Sequence, residues 1–255
     1  MNFSISYNIV GKGDTIVFIH GIGSRKYSWN CVIKILKNKF RCISYDLRGH
    51  GKSKIYDNKF TLSDLVKDLE KLRKHLKIKK FHIVGHSLGG MIGPLYARKY
   101  QYRVKSLSLL STAAFRKKGE QRKIVNIINK IKKVGLDQVL SSLIDRWFTQ
   151  GFIKKNQNVI NKRIQQVKTT HLKTFLNVFE IYAKTEMDSW LNELNIPCLI
   201  MTGEKDISCN PKINKKIADS IINSKLVILK NLKHSITVEA PQLVGKKINF
   251  FLKKL

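Results

Sequence analysis

The sequence predicts an α/β fold: a mostly parallel central sheet flanked by helices, with a helical segment inserted into it. Three observations carry this. Short β-branched runs alternate with helical stretches as far as Leu110 and again from Cys198 onward, the signature of a parallel sheet covered on both faces. Between residues 113 and 195 the strand signal disappears and only helical periodicity remains. A chain of 255 residues, 43% hydrophobic, is long enough for one full core and an insertion. The expected division is a core over residues 1–112 and 196–255, with a helical lid over 113–195.

The elements follow in order. Residues 3–10 and 15–20 read as the first strands, expected to pair antiparallel across a turn at Gly11-Lys12-Gly13. Residues 28–38 read as a helix and 40–46 as a strand. The spacing of Leu62, Leu65, Val66, Leu69, Leu72 and Leu76 predicts an amphipathic helix over 61–76, with Thr61 as its N-cap. A strand over 81–86 leads to a helix over 88–100, which Pro94 should kink, and then to a strand over 104–110. In the lid, Ile124, Ile127, Ile128, Ile131 and Val134 form one helical stripe. Val139 to Trp147 and Leu172 to Phe179 carry two more. Strands at 198–202 and 226–229 then alternate with helices at 211–222 and 241–252, each opened by a proline that the first turn tolerates.

The formal charge is +32. A field of that size favours anionic partners. The lysines are spread along the whole chain, however, and abound together with Ile and Asn, as an AT-rich coding sequence produces. Runs such as Arg116-Lys117-Lys118 and Lys246-Lys247 lack the interleaved aromatics of a single-strand binder. The charge therefore reads as a solvated surface with no nucleic-acid site, although it would steer a negatively charged substrate towards a cleft. No run approaches the roughly 18 apolar residues of a membrane span, and the N-terminal residues do not read as a signal peptide. Cys31, Cys42, Cys198 and Cys209 form no CxxC pair and read as reduced thiols of a cytoplasmic protein. No pair among His20, His50 and His86 has zinc-site spacing, so no catalytic metal is expected.

The chemistry centres on Gly85-His86-Ser87-Leu88-Gly89, a G-x-S-x-G pentapeptide between a strand and a helix. In that setting Ser87 sits on a tight turn with its hydroxyl pushed out at the end of the sheet, and the glycines remove side chains that would clash. A serine hydroxyl needs a base, and the base needs an orienting acid. His234 and Asp206 each lie just past a late strand, where open sheets place their sites. After the second strand comes His20-Gly21-Ile22-Gly23, so the backbone N–H groups of Ile22 and Leu88 are the expected oxyanion donors. Asp46 reads as structural, an acceptor for the Arg48-Gly49-His50-Gly51 turn, and His20, His50 and His86 as hydrogen-bonded supports.

These pieces together resemble the α/β-hydrolase superfamily over essentially the whole chain. They are His20-Gly21-Ile22-Gly23, Trp29, the D-x-R-G-x-G-x-S stretch from Asp46 to Ser53, Gly85 to Gly89, Asp206 and His234. The ending His234-Ser235-Ile236-Thr237-Val238-Glu239-Ala240-Pro241 looks like the branch of 3-oxoadipate enol-lactonases and small esterases. The resemblance implies a cofactor-free serine hydrolase with a helical lid, acting on a small-molecule ester or lactone, with the anionic kind favoured by the charge. Members that carry an aspartate at the nucleophile position are disfavoured by Ser87. Carbon–carbon bond hydrolases acting on diketones and triad-retaining binding proteins keep the serine and stay open. Trp29, as pocket wall or core aromatic, and Trp147 of the lid are the expected substrate contacts.

Overall fold

The computed structural model describes residues 4–55 and 59–255. Phe3, where the first strand was expected to begin, lies outside them. Among the described residues seven strands form one sheet: β1 (Tyr7–Val10), β2 (Asp14–Ile19), β3 (Phe40–Tyr45), β4 (Phe81–His86), β5 (Val104–Leu110), β6 (Cys198–Gly203) and β7 (Ser224–Leu229). Their order is β1-β3-β2-β4-β5-β6-β7, parallel throughout except for β1.

The expected β1–β2 hairpin does not form. β1 pairs antiparallel with β3, and β2 lies between β3 and β4. Burial explains the arrangement: β2 is buried at five consecutive positions, as a central strand must be, whereas β1 is half-exposed at the edge. Gly11 and Gly13, both at positive φ, serve a different close approach. A side chain at Gly13 would meet the Lys39 carbonyl oxygen at 2.6 Å.

Alternating strand residues divide the core. Val17, Ile19, Ile43 and Ile83 face the side covered by α2 (Leu62–His75), α3 (Leu88–Tyr100) and α9 (Pro211–Ser220). Ile16, Phe18, Cys42 and Val84 face the side covered by α1 (Asn30–Leu36) and α10 (Pro241–Leu252). Thr61 caps α2 as its spacing predicts, in a reciprocal capping box with Asp64. Helix α3 spans Pro94 in one element.

Between β5 and β6 the chain carries α4 (Lys118–Val134), α5 (Asp137–Trp147), α6 (Gln150–Lys155), α7 (Gln157–Lys168) and α8 (Leu172–Lys184). The three apolar stripes correspond to α4, α5 and α8. Helices α6 and α7 were not legible in the sequence, because each has few buried residues to mark a stripe. These helices join the cluster that fills the α2–α3 side, so sheet and insertion share one core. No helix among the described residues is long and apolar enough to cross a membrane.

Candidate active site

Ser87 sits between β4 and α3 with φ 54° and ψ −115°, a conformation that costs a non-glycine residue free energy and lifts its side chain out of the sheet. The turn closes only because its flanks are bare. A Cβ on Gly85 would overlap the Gly89 carbonyl, and one on Gly89 would overlap the Ile19 carbonyl. The Ser87 N–H donates to the Leu110 carbonyl at 2.8 Å, tying the turn to the neighbouring strand.

Asp206 follows β6 and His234 follows β7, and the two meet in space: His234 Nδ1 lies 2.8 Å from Asp206 Oδ2. The other carboxylate oxygen accepts the N–H groups of Ser208 and Cys209 at 2.8 and 2.9 Å, which fixes the acid's orientation. Burial acts to raise the Asp206 pKa, but His234 and those N–H donors outweigh it and hold the group below its ordinary value. Burial likewise acts to lower His234, and the Asp206 carboxylate overcomes it, so the imidazole is held above its ordinary range. The histidine's backbone is fixed as well, since its carbonyl accepts from Ser111 Oγ and His86 Nε2, both at 2.9 Å. With Nδ1 held by Asp206, Nε2 is the nitrogen left to accept a proton when the ring is neutral.

The loop after β2 is braced by neutral histidines. His20 Nδ1 donates to the Gly21 carbonyl at 2.8 Å, and its Nε2 accepts from the Leu47 N–H at 3.0 Å. His50 Nε2 accepts from the Gly23 N–H at 3.1 Å. Burial pushes His20 down to about 3 and His50 well below its ordinary value, which keeps both rings neutral and able to accept. Asp46 is the acceptor of this region, taking the N–H groups of Lys26 and Lys52 and an ion pair with Lys26. Among the described residues, the Ile22 N–H has no hydrogen-bond acceptor, and Leu88 is the first residue of α3, whose N–H has no partner within its helix. Both are therefore free to receive a negatively charged oxygen.

Ser87, His234, Ile22 and Trp147 line one cavity of about 790 Å³. Trp29 does not. It ends a short 3₁₀ turn with its ring turned under the sheet against Phe18, at 5.2 Å between centroids and 1% exposed, while its neighbours Ser28 and Asn30 reach the cavity. Its expected role as a substrate contact is corrected to that of a core aromatic. The cavity also carries side chains that the sequence did not single out. Among the described residues six cations line it (Lys34, Arg116, Lys123, Arg146, Lys162 and Arg163) against one carboxylate, Glu120. Arg116 pairs with Glu186; none of the other five forms an ion pair among the described residues. A signal for some of them was present, since ten arginines stand among 49 basic residues and the cavity draws three of the ten. A carboxylate oxygen of Asp206, the Cys209 thiol and an imidazole nitrogen of His234 lie within 4.8 Å of one another. All three are buried, and a metal ion there would compete with the Asp206–His234 hydrogen bond.

This fold and site define an α/β hydrolase, and the chain belongs to that family: the model of the alpha/beta hydrolase fold matches residues 14–241. Its relatives include 3-oxoadipate enol-lactonase 1 of Acinetobacter baylyi, 30% identical over 206 residues, 80% of this chain and 75% of the relative. The pimeloyl-[acyl-carrier protein] methyl ester esterase of Wigglesworthia glossinidia brevipalpis is 29% identical over 97% of both chains. The crystal structure of an enol-lactonase from Burkholderia xenovorans superimposes with a TM-score of 0.91 at 23% identity, over 98% of this chain and 96% of that one. With them the chain stands among the hydrolases that act on ester bonds.

Proposed function

We propose that the protein is a serine hydrolase that cleaves a small-molecule ester or lactone through an acyl-enzyme, with an anionic group on the substrate. The observation that carries this reading is Ser87 on its strained turn, opening with the Asp206-held His234 onto one cavity. His234 takes the Ser87 proton as Oγ attacks the carbonyl carbon. The Ile22 and Leu88 N–H groups receive the developing oxyanion, and Asp206 stabilises the imidazolium. His234 then protonates the leaving alkoxide and activates water to release the acid. Helices α4 to α8 act as a lid, supplying Trp147, Phe179 and most of the cations of the cavity wall. Lys34, Lys123, Arg146 and Lys162, which line the cavity half-buried or exposed and form no ion pair among the described residues, support the anionic substrate, because a positive wall draws a ligand of opposite charge. The relatives named for lactone and methyl ester hydrolysis agree with it.

The test is hydrolysis of p-nitrophenyl esters from acetate to octanoate and of a carboxylate-bearing p-nitrophenyl succinate, with wild type beside Ser87→Ala. Activity that vanishes in the variant, with higher kcat/KM on the succinate that declines with salt, is the expected result. Equal turnover by Ser87→Ala removes the serine mechanism. A wild type inactive on esters and lactones but active on a diketone replaces ester hydrolysis with carbon–carbon cleavage.

A further inference from the structure

Two arginines join α7 to the loop that carries Ile22, and neither has a carboxylate partner among the described residues. Arg163, on α7, donates through Nη2 to the Ile22 carbonyl at 2.8 Å and through Nη1 to the Gly23 carbonyl, with its guanidinium 4.6 Å from the centre of the Trp147 ring. Arg25, at the far end of the same loop, reaches the opposite way. Its Nη1 donates to Thr170 Oγ1 and its Nη2 to the Gln166 carbonyl, both at 2.9 Å, at the C-terminal end of α7. Packing closes the same joint: a Cβ on Gly23 would lie 2.9 Å from the Phe175 ring of α8 and 3.3 Å from Val167 of α7.

The direction of each hydrogen bond matters. His20 holds the Gly21 carbonyl from behind, which points the N–H of that same peptide, the Ile22 N–H, the opposite way. His50 holds the next N–H, that of Gly23. The carbonyls of Ile22 and Gly23 remain, and Arg163 takes both. A planar fork with fixed donor spacing suits two successive carbonyls, as a single ammonium does not.

We infer that Arg163 is a positioning residue: it holds the Ile22–Gly23 segment in the conformation that presents the Ile22 N–H to an oxyanion, so the oxyanion hole is complete only while α7 is seated. This rests on the proposed serine mechanism for its catalytic consequence, though not for its structural one. Among the described residues the guanidinium makes no hydrogen bond to Ser87, Asp206 or His234; it acts through the loop carbonyls it holds. A lid helix and a transition-state donor are thereby made one unit, and substrate entry that lifts α7 would switch the donor off.

The test compares wild type with Arg163→Met and Arg163→Lys. A neutral ester (p-nitrophenyl butyrate), an anionic one (p-nitrophenyl succinate) and a trifluoromethyl ketone that mimics the oxyanion serve as probes, with amide hydrogen exchange read across residues 20–26. Loss of one direct oxyanion donor costs about 10²–10³ in kcat, so loss of its support should cost Arg163→Met roughly 10- to 100-fold. That loss should fall equally on both esters, with KM on the neutral ester nearly unchanged. Affinity for the ketone should fall in proportion, exchange at residues 21–25 should rise, and Arg163→Lys should recover part of each. An effect confined to KM for the anionic ester would make Arg163 a substrate anchor and overturn the inference, as would unchanged kcat. Should Arg163→Met fail to fold, the same readings on Arg163→Lys decide. A wild type that hydrolyses no ester or lactone counts against the functional reading alone. The exchange data then judge the clasp, and unaltered protection at residues 21–25 overturns it.

Discussion

Replacing Asp206 by Asn probes the site most sharply, because it changes charge and hydrogen-bond polarity at nearly constant shape. One carboxylate oxygen is fixed by two backbone donors, the N–H groups of Ser208 and Cys209. An asparagine must therefore keep its oxygen there and turn its NH₂ towards His234, where Oδ2 accepted at 2.8 Å. Two donors then face each other. The imidazole resolves the clash by moving its proton to Nε2, which leaves that nitrogen unable to accept the Ser87 proton. In serine hydrolases built on a different fold the same swap costs about 10⁴-fold in kcat, or roughly 5 kcal/mol at 1.36 kcal/mol per factor of ten, and a loss of that order is expected here. The pH profile adds a second reading. In the proposed mechanism His234 must be neutral to act as base, so kcat/KM should rise with pH as it deprotonates. Asp206 holds its pKa above the ordinary 6.5, so the variant's residual activity should rise at lower pH than that of the wild type. Steady-state kinetics on p-nitrophenyl butyrate from about pH 5 to 10, with unfolding monitored in urea, measure both. A variant that keeps more than about a tenth of wild-type kcat would refute the tautomer argument.

Other outcomes follow from the same structure. Gly89→Ala should destabilise the fold by more than about 3 kcal/mol in urea unfolding, since its Cβ overlaps a backbone carbonyl that cannot swing away, whereas Gly151→Ala, with open space around it, should be neutral or stabilising. Trp29→Phe should lower stability by about 1–2 kcal/mol and leave KM alone; a raised KM would return Trp29 to the pocket. Glu70 supplies a pH test. Burial acts to raise its pKa, but hydrogen bonds from Arg73, Tyr96 and Arg103 bring it from 4.5 down to about 2. A lowered folded-state pKa contributes stability above the unfolded value and loses it as pH falls through the folded one. The stability gap between wild type and Glu70→Gln should therefore narrow from pH 4.5 towards about pH 2, and a gap that stays constant would show that the network contributes nothing through its charge.

What the sequence disclosed was what short-range chemistry dictates. The strand entering Ser87, the helix leaving it and the cap at Thr61 are set by neighbours within a few residues, and β4, α3 and β5 have the expected limits. Strand pairing is not local. A glycine-flanked turn after β1 reads as a hairpin until one asks where a strand buried at five consecutive positions can lie, and only the middle of a sheet will take it. Trp29 shows the same limit at one residue. Nothing nearby distinguishes a ring under the sheet from a ring in the cleft, since its neighbours reach the cavity and it does not.

The arginines carry a further lesson about the charge. Thirty-nine of the 49 basic residues are lysines and ten are arginines, and five of those ten pair with a carboxylate. Arg73 and Arg103 hold Glu70, Arg48 holds Asp68, Arg98 holds Glu193 and Arg116 holds Glu186. Arg25 and Arg163 instead join the inserted helices to the loop after β2 through neutral acceptors. A compositional drift towards lysine adds solvated charge at little cost, because a flexible ammonium asks nothing of its surroundings. It cannot replace a fork that grips two acceptors at once. In a chain so rich in lysine, an arginine is therefore a better pointer to a fixed contact than charge itself. That criterion singles out α7, the helix whose apolar stripe was too thin to be read.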